Sequence, residues 1–226
     1  MRRTINTAKA KGISLRFLIV ACIFLLSLSL FVFIADEMVL ENENNLDIIA
    51  FQQLKSITNA TMTKAMLFVT FFGSNYFLLP AYIVLVGYFL FSKTARWLSL
   101  DIAAVAITST IILFSLKAIF HRHRPFDPLV KTVNGFSFPS GHAFSAFTFF
   151  GILIYVLWNY PINPIGKWIT SVLFFLFACA VAFSRVYLHV HYASDVIAGF
   201  CLCAVWLGLS FGAMRTFRHK LPSLSG

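Results

Sequence analysis

Charge is scarce in this sequence. Of 226 residues, 12% are Asp, Glu, Lys or Arg, where a soluble globular domain carries about a quarter. The deficit implies that lipid, not water, covers most of the surface. Acids are scarcest, 8 against 18 Lys and Arg. Cysteine is also rare: Cys22, Cys179, Cys201 and Cys203 all fall inside apolar stretches. Cys201 and Cys203 are two apart, so on a helix they face different directions. They offer no disulfide framework and no zinc spacing, and read as small buried or lipid-facing side chains. Internal repeats and low-complexity tracts are absent too, which removes solenoids and arrays.

Apolar residues are abundant, at 59% of the chain. They gather in runs of about 20, the length a bilayer core requires. Six spans are expected, near 15–35, 65–91, 97–120, 141–158, 167–184 and 192–214. The fold class that follows is all-α, a polytopic bundle of six transmembrane helices forming one membrane domain over 1–226. The first run, Leu15 to Ala35, follows a basic segment with Arg2, Arg3, Lys9, Lys11 and Arg16, as a signal peptide would. It is long, no small-residue cleavage site follows it, and more spans come after, so it is expected to stay as a first helix. Gly73-Ser74-Asn75 and Pro80 interrupt the second run and predict a kink or a shorter span. Within the polar stretch Asp36 to Lys64, the segment Leu46 to Ile57 suits an amphipathic helix at the interface.

A formal charge of +10 in a soluble protein would raise nucleic acid as a partner. Here the membrane accounts for it, because cytoplasmic loops collect Lys and Arg, and no nucleic-acid partner is expected. With the N-terminus in the cytoplasm, Arg2, Arg3, Lys9, Lys11, Arg16, Lys93, Arg96, Lys167, Arg215, Arg218 and Lys220 lie inside. Lys55, Lys64, Lys117, Arg122, Arg124, Lys131 and Arg185 lie outside. Eleven against seven favours both termini inside. The acidic run Asp36, Glu37, Glu41, Glu43 and Asp47 then falls outside.

Three polar clusters stand out: Lys117 with Arg124-Pro125; Pro139-Ser140-Gly141-His142; and Ser184-Arg185, His191 and Asp195. They occupy the third-to-fourth and fifth-to-sixth connections, so the span count puts all three at one membrane face. His191 and Asp195 are four apart at the expected start of a helix and would share a face. A carboxylate bonded to one ring nitrogen fixes the tautomer and frees the other nitrogen to attack. Ser140 suits an N-cap, and helix-start amides beside a glycine bind anions. A neighbouring His142 is able to protonate a leaving oxygen. Lys117, Arg124 and Arg185 bring three positive charges, and a phosphomonoester carries about −1.5 to −2 at pH 7. Phosphoryl transfer needs its oxygens neutralised, by metal or by Arg and Lys. Asp127 is expected to be the one acid near these clusters besides Asp195, too few for a metal cage. Each cluster alone also fits a plainer role: a polar pair ending a helix, an N-cap with a neighbouring His, or cations that snorkel to headgroups.

Taken together, Lys117-x6-Arg124-Pro125, Pro139-Ser140-Gly141-His142 and Ser184-Arg185-x5-His191-x3-Asp195 resemble the three-part signature of the type 2 phosphatidic acid phosphatase (PAP2) superfamily. The match holds in order, spacing and every signature residue over 117–195. The resemblance implies that His191 attacks phosphorus and forms a phosphohistidine, and that Asp195 orients it. It implies that His142 protonates the leaving group and then activates water. It assigns the phosphate to Lys117, Arg124, Ser140, Gly141, His142 and Arg185, and it implies neither metal nor cofactor. His121, His123 and His189 lie outside the signature and receive no role.

The expected activity is hydrolysis of a lipid-linked phosphate or pyrophosphate at the extracytoplasmic face of the cell membrane. Undecaprenyl pyrophosphate and phosphatidylglycerol phosphate lead as substrates, then phosphatidic acid. A phosphotransferase would use the same phosphohistidine, and that alternative stays open. Vanadium-dependent haloperoxidases have a similar residue set but are soluble. A transporter would spread polar residues through its spans, whereas here they crowd at one end.

Overall fold

The computed structural model describes residues 2–41, 45–92, 95–130 and 134–220. Glu43, Lys93 and Lys131 of the charge analysis lie outside these residues, as do the side chains of Arg2, Arg3, Lys9, Lys11, Arg16, Arg218 and Lys220. Among the described residues every regular element is helical. In chain order these are α1 (Arg2–Phe33), continued by a π-helical segment (Ile34–Leu40), α2 (Asn45–Lys55), α3 (Ala60–Phe71), α4 (Asn75–Phe91), α5 (Arg96–Phe120), α6 (Gly141–Trp158), α7 (Pro164–Tyr187) and α8 (Ala193–Lys220). Six helical stretches are long and apolar enough to cross a bilayer: Phe17–Leu40, Ala60–Phe91, Arg96–Phe120, Gly141–Trp158, Pro164–Tyr187 and Ala193–Thr216. Their outward faces carry large apolar side chains such as Phe17, Leu26, Phe68, Val84 and Leu100. Lipid is the solvent such a surface requires.

Two expectations shift. The first helix runs past Ala35, because Ile34, Ala35 and Val39 bury against Phe138 and Ala198 and hold the chain helical through Leu40. The second stretch is two helices. The chain breaks at Phe72-Gly73-Ser74 and restarts with Asn75 as the first residue of α4. Pro80 sits inside α4 without ending it; membrane helices tolerate proline where neighbours satisfy the freed carbonyl.

α6 is the centre of the bundle: half of its span is buried, against 11–33% for the other five. Phe144 is buried in the core, and Phe147, Phe149 and Phe150 meet aromatic rings from α8, α4 and α7. Most of these pairs meet edge to face, the arrangement ring quadrupoles favour. Gly199 of α8 makes the close approach at the start of α6. A Cβ there would lie 3.1 Å from Ser140 O and 3.3 Å from Phe144 N. The bundle thereby brings the end of α5, the start of α6 and the α7–α8 turn together at one end.

Candidate active site

Backbone hydrogen bonds shape the segments that meet there. α5 ends on His121, left-handed at φ 48°, whose N–H donates to Lys117 O at 3.3 Å. Ser137 N donates to Arg122 O at 2.8 Å and Ser140 N to Asp195 O at 3.0 Å, which ties the α5–α6 connection to α8. After α7, His189 is left-handed at φ 53°. The amides of Val190 and His191 both return to Arg185 O, at 3.2 and 3.3 Å. This tight return carries His191 back beside Arg185. His191 therefore sits in the turn before α8, not on the helix expected from its spacing to Asp195, because α8 begins only at Ala193.

The two ring nitrogens of His191 face different partners. Nε2 lies 3.1 Å from Arg124 Nη1. A guanidinium only donates, so Nε2 accepts and the neutral ring carries its proton on Nδ1. Nδ1 lies 3.3 Å from Ser137 Oγ and 3.4 Å from Asp195 Oδ2. Ser137 Oγ itself donates to Asp195 Oδ2, leaving a lone pair toward the Nδ1 proton. Asp195 Oδ2 also accepts from Tyr192 N at 3.0 Å, and Oδ1 from Arg122 Nη1 at 2.7 Å. Burial pushes the His191 ring down to about 3, although Asp195 pulls the other way. The ring is thus neutral, with an unprotonated Nε2, across the physiological range.

His191 lines a cavity of about 610 Å³ together with Lys117, Arg124, Gly141, His142 and Arg185. Both histidines thus open onto one space. Arg124 is held by Gly135 O, Val190 O and Phe136 O at 2.9, 2.7 and 3.4 Å. Lys117 Nζ donates to Phe136 O at 2.7 Å. Arg185 Nη1 donates to Thr70 Oγ1 at 2.6 Å, while its buried Nε has no hydrogen-bond partner among the described residues. A charged donor left so is costly unless a ligand answers it. Gly73 packs against His142 from the α3–α4 break. Ser74, Asn75, Tyr82, Ser109 and Thr110 extend the cavity between α4 and α5.

Ser140 does not join the cavity wall. It is fully buried, and its Oγ accepts from Ala143 N at 3.5 Å as the cap of α6. Asp195 likewise lies behind His191. His121, His123 and His189 are not among the cavity-lining residues; the His189 ring packs on Phe51 at 4.7 Å. Among the described residues no three His, Cys, Asp or Glu side chains group as metal ligands.

One expectation is overturned. Asp127 is not the one acid joining Asp195 near the clusters: Asp47, on α2, is buried against Arg122 at 2.9 Å. Asp47, Arg122, Ser137, Ser194 and Thr70 all touch the signature residues or their partners, and sequence reasoning gave none of them a role. Arg122 alone carried a signal, as a cation inside the first motif at membrane depth.

A family model described as the PAP2 superfamily matches residues 98–219. The chain belongs to the PAP2 superfamily. The match covers every element that lines the site from α5 to α8. The chain is 33% identical over 165 residues to phosphatidylglycerophosphatase B of Bacillus subtilis, which spans 70% of this chain and 80% of that protein. It is 28% identical over 149 residues to an undecaprenyl-diphosphatase of Sulfolobus acidocaldarius, spanning 63% of this chain and 66% of that one. Among solved structures, a transmembrane PAP2 type phosphatidylglycerolphosphate phosphatase from Bacillus subtilis superposes with a TM-score of 0.74. It is 28% identical and covers 86% of this chain and 96% of that one. As a PAP2 phosphatase, the chain is an integral membrane enzyme with a lipid environment around six helices.

Proposed function

We propose that this PAP2 enzyme hydrolyses a terminal phosphate from a lipid, with His191 as nucleophile and no metal. In the first step the lone pair of His191 Nε2 forms a bond to phosphorus. The bond from phosphorus to the lipid oxygen breaks, its electron pair goes to that oxygen, and His142 delivers a proton to it. In the second step water attacks the phosphohistidine, His142 takes the water proton, and the N–P pair returns to Nε2 with release of phosphate. Asp195 holds Nδ1–H and stabilises the ring as it becomes cationic. Lys117, Arg124, Arg185 and the amides at the start of α6 hold the phosphate oxygens, and Ser140 and Gly141 keep that helix start in register.

The observation that carries this reading is the shared cavity. His191, whose Nε2 carries no proton, and His142 line one space with three cationic side chains, one of which has an N–H unanswered among the described residues. The chain's similarity to phosphatidylglycerophosphatase B makes phosphatidylglycerol phosphate the leading substrate, followed by undecaprenyl pyrophosphate and then phosphatidic acid. The positive-inside count supports both termini in the cytoplasm and a site facing the extracytoplasmic leaflet. The test is phosphate release by purified protein in detergent against these three lipids. Release from at least one, lost by a factor of about 10³ or more in His191→Ala, is expected for a covalent nucleophile. Unchanged release from the variant contradicts the proposal.

A further inference from the structure

Behind Asp195 lies a second layer that the three motifs do not include. The side chain of Arg122 is 7% exposed and joins two carboxylates that are buried completely or nearly so. Its Nη1 donates to Asp195 Oδ1 and to Ser194 Oγ, both at 2.7 Å, and its Nη2 to Asp47 Oδ2 at 2.9 Å. The Tyr192 ring lies 4.1 Å from its central carbon, so the guanidinium is held from its face as well as its edge. Asp47 accepts further from Ser194 N at 2.9 Å and from Ser194 Oγ at 2.6 Å. A residue of α2 thereby satisfies an amide in the first turn of α8, the turn that carries Asp195.

We propose that Asp47, Arg122 and Ser194 form a positioning network that sets the orientation and acceptor strength of the Asp195 carboxylate, and through it the His191 nucleophile. This rests on His191 and Asp195 acting as the nucleophile and its orienter. Two effects combine. The planar guanidinium gives one nitrogen to each carboxylate, Nη1 to Asp195 and Nη2 to Asp47, so the Asp47 contact fixes the plane from which Arg122 meets Asp195. Charge sharing does the rest. One cation between two carboxylates leaves the cluster with a net negative charge, so Asp195 keeps its pull on Nδ1–H. Were Asp47 neutral, the guanidinium would act on Asp195 alone and weaken that pull as the ring becomes cationic during attack. On α2, Asp47 and Leu54 are buried while Leu46, Ile48 and Ile49 are exposed. An element outside the signature thus holds one end of the catalytic pair.

The experiment compares Asp47→Asn, Asp47→Glu and Arg122→Lys with the wild-type enzyme and with His191→Ala. Phosphate release from phosphatidylglycerol phosphate is counted per folded molecule, with thermal unfolding and orthovanadate inhibition measured alongside. Asp47→Asn and Arg122→Lys are expected to lower kcat about tenfold or more, the size of losing one oriented charge contact near 1.4 kcal/mol. KM and vanadate affinity stay within twofold, because Lys117, Arg124 and Arg185 are untouched. Asp47→Glu, which keeps the charge, recovers more of kcat than Asp47→Asn. A merely structural role would lower the folded fraction and leave kcat per folded molecule alone, and that result overturns the network. Asp47→Asn within twofold of wild type in kcat also overturns it, provided His191→Ala is inactive. Activity in His191→Ala would instead remove the nucleophile itself.

Discussion

Replacing Gly73 by alanine inserts one methyl group between the α3–α4 break and His142. The added Cβ would lie 2.6 Å from Val181 Cγ1 and 3.3 Å from both Cβ and Cδ2 of His142. Val181 is fully buried on α7, and a β-branched side chain in a helix has one strongly preferred rotamer. It has no room to turn aside, so the break or the start of α6 must move by several tenths of an ångström. Overpacking of this kind costs about 1–3 kcal/mol. If the displacement is taken up at His142, that energy appears in the barrier, and at about 1.4 kcal/mol per tenfold kcat falls roughly 5- to 150-fold. The assay is kcat for phosphate release, with thermal unfolding in the same detergent. Adding Val181→Ala removes the 2.6 Å clash and leaves only the milder contacts, so the double variant recovers most of the lost turnover. A Gly73→Ala enzyme within twofold of wild type, correctly folded, would refute the argument that this break positions His142.

Two other outcomes follow from the same site. Burial holds the folded His191 near 3, against about 6.5 in an unfolded chain. Between those values the unfolded state binds a proton that the folded state refuses, so stability is full above about pH 6.5 and lost as pH falls toward 3. Thermal unfolding of wild type is expected to fall more steeply over that window than that of His191→Gln, and parallel curves would contradict this. Because Lys117, Arg124 and Arg185 neutralise the phosphate in this account, release persists in EDTA. Loss of activity in EDTA that a divalent ion restores would overturn it.

Much of the fold was legible because a bilayer imposes a length on every crossing segment. Six apolar runs near 20 residues could be read directly, and the Gly73-Ser74-Asn75 break lay on the surface of the sequence. The motif residues were legible as a set because polar groups at membrane depth need a reason. What escaped was tertiary. Asp47 and Arg122 are 75 residues apart, and nothing local in Leu46 to Ile57 says which face meets an arginine. His191 and Asp195 have helical spacing, yet Ala193 starts the helix, because the amides of Val190 and His191 turn back to Arg185 O. Ser140 was legible as a helix cap, and its Oγ does cap α6. Its burial beneath the first turn of α6 depends on how closely Gly199 lets α8 approach.

The central claim is that His191 Nε2 bonds to phosphorus during turnover, and a rapid-quench experiment tests it most directly. Purified enzyme is mixed with phosphatidylglycerol phosphate radiolabelled in its terminal phosphate and stopped in alkali before one turnover is complete. The account predicts label on the peptide containing His191, appearing before free phosphate and absent in His191→Ala. Steady phosphate release with no labelled protein at any time, or label on a different side chain, would contradict it.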